Sequence, residues 1–129
     1  MLVADASAVV EVLLNTPAAE RIGGRIFGDE ESIHVPHLLD LEVTHVVRRV
    51  VMRGEIPVEQ GAEALANLEK LTLTRYPHEV LLPRVWELRH NFSAYDAAYL
   101  ALAESLEIPL VTCDAAFVST AHHAIVELV

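Results

Sequence analysis

The sequence predicts an α/β fold, a three-layer α/β/α sandwich around a mostly parallel central sheet. Short apolar segments alternate along the chain with longer segments in which apolar residues recur every three or four positions. That alternation is typical of strands joined by crossover helices, which bring successive strands into one parallel sheet. Because no repeat, linker or low-complexity tract interrupts it, we expect residues 1–129 to form a single domain.

The chain opens with an apolar segment that predicts a buried strand at residues 2–5, followed at once by a helix at 7–15. Thr16 is the predicted N-cap of a second helix, and Pro17 its first residue. Proline suits that first position because the amide hydrogen that it lacks has no partner there anyway.

The next predicted elements are a strand at 32–36 and a long helix at 38–53. The helix is expected to end at Gly54, since glycine readily adopts the left-handed conformation that closes a helix. Five valine and leucine residues recur at helical spacing and predict its buried stripe. They are Leu39, Val43, Val46, Val47 and Val50.

The second half of the chain follows the same alternation. Pro57 opens a helix at 57–71, and a further helix is predicted at 78–90. The apolar residues of the second of these helices are expected to face the core: Leu81, Leu82, Val85, Trp86 and Leu88. The remaining predicted elements are a strand at 72–77, a helix at 94–106, a strand at 108–114, a short helical turn at 115–121 and a strand at 123–129.

The composition and net charge of the chain argue against several classes of protein. Hydrophobic residues make up 53% of the chain, yet no apolar run approaches the roughly 20 residues that span a bilayer, so no membrane segment is expected. Cys113 is the only cysteine, which excludes an intrachain disulfide and fits the reducing cytoplasm. A net charge of −10 argues against a general nucleic-acid coat protein, but it is compatible with a nuclease whose acids hold metal.

Four carboxylates are placed where they can meet. Asp5 ends the first strand, Asp114 comes two residues after Thr112 at the end of the strand at 108–114, and Glu42 and Asp96 lie early in their helices. The ends of parallel strands and the starts of the following helices share one edge of the sheet, where α/β proteins bind ligands. We therefore expect the four acids to converge there.

Converging carboxylates predict a divalent metal site, because like charges repel until a cation neutralises them. Mg²⁺ or Mn²⁺ prefers such oxygen ligands. A metal there activates water and stabilises the charge that develops in phosphodiester cleavage. Ser7 and Thr112 belong to the same loops and are candidates for positioning water or phosphate.

Each acid also has a purely structural interpretation. Asp96 lies three residues after Ser93, a spacing that resembles a capping box. Asp5 and Asp114 are placed to cap the helical segments that follow them, and a helical residue such as Glu42 is most often solvated. The two kinds of role are compatible, because a capping bond also orients a ligand.

Three segments of the chain resemble the PIN-domain ribonucleases, specifically the VapC-type toxins of toxin–antitoxin pairs. They are LVADASAVVEVLL, VPHLLDLEVTHVVRRVV and FSAYDAAYLALAESLEIPLVTCDAAF, and the resemblance extends over essentially the whole chain. The residues that match the four acidic positions and their hydroxyl neighbours in that family are Asp5 with Ser7, Glu42, Asp96, and Asp114 with Thr112.

The resemblance implies a PIN fold, endoribonuclease activity that needs Mg²⁺ or Mn²⁺, homodimerisation, and inhibition by a cognate antitoxin protein. Helix 57–71 offers small and larger apolar positions for close helix packing between two subunits, although the sequence does not identify which helices meet. Those positions are Ala62, Ala66, Leu65 and Leu68.

An acidic protein that cleaves RNA needs local positive charge. His45, Arg49 and Arg53 follow Glu42 by three, seven and eleven residues, so they lie on the same side of the predicted helix. They are candidates for binding phosphates of the RNA substrate, with Arg49 and Arg53 as the principal cations. The alternative is that they form the solvated basic edge of an ordinary helix.

Two other functions fit the sequence less well. An aspartate-based phosphatase needs a second aspartate two residues after the first, where this chain has Ser7. A catalytically silent PIN-like binding module has no need of a complete set of acids. Both are alternatives to the ribonuclease hypothesis.

Overall fold

The structure is a computed structural model that describes all 129 residues. Its strands and helices follow the predicted alternation. In chain order they are β1 (Leu2–Ala4), α1 (Ala6–Leu13), α2 (Ala19–Ile26), β2 (Ile33–Pro36), α3 (Leu38–Met52), α4 (Val58–Lys70), β3 (Leu73–Tyr76), α5 (Leu82–Glu87), α6 (Ala94–Leu106), β4 (Leu110–Thr112) and β5 (Val126–Leu128). Short 3-10 turns at Glu79–Leu81 and Ala115–Phe117 precede α5 and follow β4.

The five strands form one sheet in the order β3-β2-β1-β4-β5, and every neighbouring pair is parallel. Val3 of β1 pairs with His34 of β2 on one side and with Leu110 of β4 on the other. Helices α1 to α4 pack against one another, and α5 packs with α6. Parallel strands are joined by crossover helices that cover the faces of the sheet, so these two groups form the outer layers and the predicted three-layer fold is confirmed.

The core is one cluster of 30 buried hydrophobic residues. Helix α6 contributes an unbroken buried run from Ala97 to Ala103, because it lies over the central strands β1, β2 and β4. Its small alanines allow that close approach to the sheet. No helix in the structure is long and apolar enough to cross a membrane.

The predicted start of the second helix is wrong. Helix α2 begins at Ala19 and has no side-chain cap. The Thr16 side chain instead hydrogen-bonds to the Glu11 carboxylate, and its backbone N–H donates to the Glu11 carbonyl at 3.1 Å. Thr16 therefore closes the end of α1, and Pro17 lies in the turn between the two helices.

The predicted helix at 78–90 is shorter, and two of its residues face away from the core. Leu81, Val85 and Leu88 are buried as expected, but Leu82 and Trp86 are 55% and 68% exposed. Residues one position after a core-facing residue point about 100° away from it. No other element covers that side, and the guanidinium of Arg89 lies 4.5 Å above the Trp86 ring.

Helix α4 divides its apolar residues between the core and the solvent. Leu68 is buried and Leu65 packs against the core, whereas Ala62 and Ala66 are exposed. The two leucines are therefore already used within the subunit. Gly61 permits the close approach of α3, since a Cβ at Gly61 would lie 2.7 Å from Val51 Cγ2.

Candidate active site

The order of the strands determines where the predicted site acids lie. Strand β1 lies at the centre of the sheet, with β2 and β3 in one lateral direction from it and β4 and β5 in the other. A crevice forms at such a reversal, at the carboxyl ends of the two central strands. Asp5 directly follows β1, and Asp114 comes two residues after Thr112, which ends β4.

Asp5 is held by three hydrogen bonds and is only 4% exposed. Its Oδ1 accepts from the Ser7 hydroxyl at 2.7 Å and from the Ala8 N–H at 3.2 Å, which caps α1. Its Oδ2 accepts from the Thr112 hydroxyl at 2.7 Å. The carboxylate is thus fixed in orientation, and Oδ2, which accepts only one of these bonds, keeps a lone pair for another ligand.

Ser7 and Thr112 also tie together the loops that follow β1 and β4. The Ser7 hydroxyl oxygen accepts from the Cys113 N–H at 3.0 Å, and the Thr112 hydroxyl oxygen accepts from the Asp114 N–H at 2.9 Å. The two hydroxyl oxygens are 3.3 Å apart. Both hydroxyls therefore position the backbone that carries the acids as well as the Asp5 carboxylate itself.

Asp114 caps a turn with its carboxylate, whereas Asp96 lies in the first turn of a helix that Ser93 caps. Oδ1 of Asp114 accepts from the Ala116 N–H at 2.9 Å and caps the turn after β4. The Asp96 N–H donates to the Ser93 hydroxyl at 3.2 Å, so Ser93 is the N-cap of α6 as its spacing predicts. Asp114 is exposed and Asp96 half-buried, which leaves both carboxylates accessible from solvent.

Glu42 on α3 presents an unsatisfied atom. Its Oε1 is buried and has no hydrogen-bond partner, and the same holds for the Tyr99 hydroxyl on α6. The two side chains are close enough for Tyr99 to lower the pKa of Glu42, but they form no hydrogen bond of ordinary geometry. A buried carboxylate oxygen without a donor is costly, so Glu42 is suited to a ligand from outside the protein.

The four acids act on one another electrostatically. Burial raises the pKa of Glu42, and the charges of Asp96 and Asp5 raise it further. Burial also raises the pKa of Asp5 and of Asp96, with the charge of Asp114 adding to both shifts. Each carboxylate therefore has two others as electrostatic neighbours, and these four acids together are called the carboxylate ring.

The ring is open in this structure. No group of three aspartate, glutamate, histidine or cysteine side chains lies close enough together to hold one metal ion. The structure thus brings the four acids to one edge of the sheet, as expected from their order, and their joint ligation of a metal stays a prediction.

Two of the three candidate phosphate-binding residues lie next to the site. A groove of about 480 Å³ lies beside Glu42, and His45 and Arg49 line it. Arg53 is the exposed C-cap residue of α3 and lies outside this groove. Of the basic residues on this helix, His45 and Arg49 are therefore the ones next to the site.

Sequence reasoning missed two tyrosines on α6. Tyr99 lies three residues after Asp96, a spacing that places both on one side of the helix, and this spacing was a usable signal. Tyr95, directly before Asp96, lines the groove beside Glu42 and is 65% exposed. Its place at the start of α6, where the helix emerges from the core, depends on how α6 packs and carried no signal in the sequence.

Comparison with known proteins gives consistent matches. The model of the PIN domain matches residues 2–123. VapC ribonuclease Mb0985 from Mycobacterium bovis is 44% identical over 114 residues, which cover 88% of this chain and 86% of that protein. Ribonuclease VapC12 from Mycobacterium tuberculosis is 39% identical over 130 residues, covering 100% of this chain and 99% of that protein.

A solved structure shares the fold at lower sequence identity. The crystal structure of VapBC2 from Rickettsia felis, bound to a DNA fragment from their promoter, superimposes with a TM-score of 0.70 and 15% identity. The match covers 98% of this chain and 96% of that one. At this identity the likeness concerns the fold alone.

Proposed function

Because this chain belongs to the PIN-domain family and has VapC ribonucleases as relatives, we propose that it is a metal-dependent endoribonuclease that acts as the toxin of a toxin–antitoxin pair. The observation that carries this proposal is the ring of four carboxylates, in which the buried Glu42 Oε1 has no partner. A site built to bind a cation explains why four acids lie at one edge of the sheet despite their mutual repulsion.

The donor set fits Mg²⁺ or Mn²⁺. Carboxylate oxygens are the ligands that hard divalent cations prefer, and the residues that would hold the metal are Asp5, Glu42, Asp96 and Asp114. When bound, such a metal supplies activated water and stabilises the negative charge that develops on the scissile phosphate.

The chain's own residues prepare this site. Ser7 and Thr112 hold the Asp5 carboxylate in one orientation, so that little reorganisation is needed when a ligand arrives. Asp114 is fixed through its own capping bond to Ala116. Positioned groups of this kind lower the entropic cost of bringing reactants together.

The same proposal extends to the partners of the protein. Its substrate is RNA, and its regulator is a cognate antitoxin protein, in line with the VapB–VapC pairing named for the Rickettsia felis structure. We further propose a homodimer, a cytoplasmic location and a single PIN domain over residues 1–129. The match of the PIN-domain model to residues 2–123 supports the last point.

The decisive experiment is cleavage of single-stranded RNA by the purified protein with Mg²⁺ or Mn²⁺, with and without excess chelator. We expect cleavage that stops on chelation and that is abolished in Asp5→Ala and Asp114→Asn. Asp29→Asn is the matched control, because Asp29 is an exposed acid outside the ring. Cleavage that survives chelation would contradict the metal-dependent mechanism.

A growth assay tests the toxin role separately. Expression without an antitoxin should slow growth, and Asp5→Ala should relieve the effect. If Asp5→Ala is as harmful as the wild type, toxicity has another origin. A catalytically silent binding module would fail the cleavage assay under every metal condition.

A further inference from the structure

The groove beside Glu42 combines apolar and cationic walls, a mixture that its neighbour, the carboxylate ring, lacks. Leu38, Leu41 and Tyr95 provide apolar surface, and His45 and Arg49 provide nitrogen donors. Glu42 belongs to both the groove and the ring, so the two are continuous. A molecule lying in the groove therefore lies next to one member of the ring, Glu42.

Tyr95 presents its ring to solvent at the wall of this groove. It is 65% exposed, although it directly precedes Asp96 in the first turn of α6. Its hydroxyl forms no hydrogen bond within the protein, and most of the side chain stays open to solvent. Exposed aromatic rings beside a cationic groove are the surfaces on which proteins stack unpaired nucleobases.

Arg49 supplies the charge that a nucleotide needs. The arginines that form ion pairs in the structure are Arg25, Arg75 and Arg84, and Arg49 is not among them. Its guanidinium is therefore available for a phosphate, which it can bind with two parallel hydrogen bonds. In a chain with a net charge of −10, this local cation offsets repulsion between the carboxylates and RNA.

We propose that this groove is a nucleotide subsite, in which Tyr95 stacks on an unpaired base of the RNA and Arg49 binds a flanking phosphate. This inference rests on the proposed ribonuclease function and deepens it, since it names the residues that hold a base and a phosphate of the substrate. A base can reach the Tyr95 ring only when it is not stacked inside a duplex. Because every base has an aromatic face, stacking on Tyr95 does not select a sequence.

Binding is measured first in chelator, where no cleavage occurs, with single-stranded RNA that carries the fluorescent base 2-aminopurine. Stacking on Tyr95 should quench this fluorescence. We expect Tyr95→Ala to abolish the quenching and to weaken binding about tenfold, while Tyr95→Phe keeps both. Trp86→Ala is the matched control, because Trp86 is an equally exposed aromatic residue outside the groove. The same sequence as a duplex should bind more weakly than the single strand.

The phosphate contact is tested by the salt dependence of the same binding. Arg49→Gln should weaken binding and lower the slope of log affinity against log salt by about one. Arg48→Gln is the matched control, since Arg48 is its exposed neighbour on α3 and lies outside the groove. Equal slopes for Arg49→Gln and wild type would overturn this contact.

The outcomes separate this inference from the proposed function. If the wild type cleaves RNA and Tyr95→Ala has the same quenching, affinity and KM as the wild type, the subsite is wrong. The proposed nuclease function is then unaffected. Quenching that depends on Tyr95 without cleavage under any metal condition would support the subsite and overturn the nuclease. If Tyr95→Ala binds RNA normally but no longer binds the antitoxin, the groove belongs to a protein partner and the nucleotide subsite is wrong.

Discussion

Thr112, the last residue of β4, donates a 2.7 Å hydrogen bond to Oδ2 of Asp5, the residue that follows β1. The same hydroxyl oxygen accepts from the Asp114 N–H at 2.9 Å. One buried side chain thus holds two of the four acids in place, although 107 positions separate Thr112 from Asp5. The relationship between β1 and β4 that sets the sheet order also sets the geometry of the site.

Removing this hydroxyl should cost both stability and activity. We expect Thr112→Val to reduce the free energy of unfolding by about 1–3 kcal/mol, because a buried carboxylate oxygen and the Asp114 N–H each lose a partner without a change in side-chain volume. Cleavage should fall with it. Thr112→Ser, which keeps the hydroxyl, is the control, and chemical denaturation together with an RNA cleavage assay provides the measurement. Wild-type activity in Thr112→Val would remove Thr112 from the site.

Asp96→Asn distinguishes a helix cap from a member of the carboxylate ring. If the charge chiefly stabilises the start of α6, its loss should cost about 0.5–1 kcal/mol. We expect the opposite. Burial and the charge of Asp114 raise the pKa of Asp96, so the ionised form is disfavoured in the folded protein. The metal-free variant should therefore be as stable as the wild type or more so.

The same Asp96→Asn variant should gain less stability from Mg²⁺, since the gain follows RT ln(1 + [L]/Kd) and the affinity falls with the lost ligand. Thermal melts with and without Mg²⁺ on the wild type, Asp96→Asn and the control Asp29→Asn measure both effects. A variant that melts lower than the wild type without metal, and gains as much from Mg²⁺, would refute the role of Asp96 in the ring.

His34 should make stability depend on pH. It is 6% exposed, and its two ring nitrogens hydrogen-bond with the Tyr76 hydroxyl at 2.7 Å and the Ser32 hydroxyl at 2.9 Å. Burial, followed by the charge of the N-terminus, lowers the pKa of His34, so the fold favours the neutral ring. The contribution of His34 to the free energy of unfolding is fully present above the ordinary histidine pKa of about 6.5. It is lost as the pH falls from that value through the lowered pKa of the folded protein.

Denaturant unfolding on both sides of that pH tests this sign. The wild type should lose stability on acidification, and His34→Gln should lose less, because glutamine keeps hydrogen-bonding capacity without a proton to gain. Parallel declines in the two proteins would show that His34 does not contribute to the pH dependence.

The proposed homodimer predicts twice the chain mass in light scattering at tens of micromolar protein. If the exposed alanines of α4 form the interface, Ala66→Arg should dissociate the dimer, because an isologous contact brings the two introduced charges together. Ser105→Arg adds the same charge at an exposed position on α6 and is the control. A wild-type monomer would contradict the dimer, and a stable Ala66→Arg dimer would move its interface away from this part of α4.

The sequence by itself determined the features that depend on neighbouring residues. Helix α6 runs from Ala94 to Leu106 as predicted, and Ser93 caps it, because a capping bond forms within one helical turn. Gly54 lies two residues after the end of α3 and has a φ of 73°, a left-handed conformation that glycine adopts easily. The alternation of strands and helices likewise follows from local periodicity, and with it the parallel sheet and the edge where the four acids lie.

Only the tertiary structure decided which of these residues face one another. The bond between Thr112 and Asp5, the unpartnered Glu42 Oε1 opposite Tyr99, and the separation of Arg49 from Arg53 depend on how distant elements pack. The exposure of Trp86 arises in the same way, since its helix has the apolar period but no neighbour on that side. The periodicity of a sequence indicates which side of a helix or strand faces the core. Which residue it meets there is set by the order of the strands and by the close packing of the helices against the sheet.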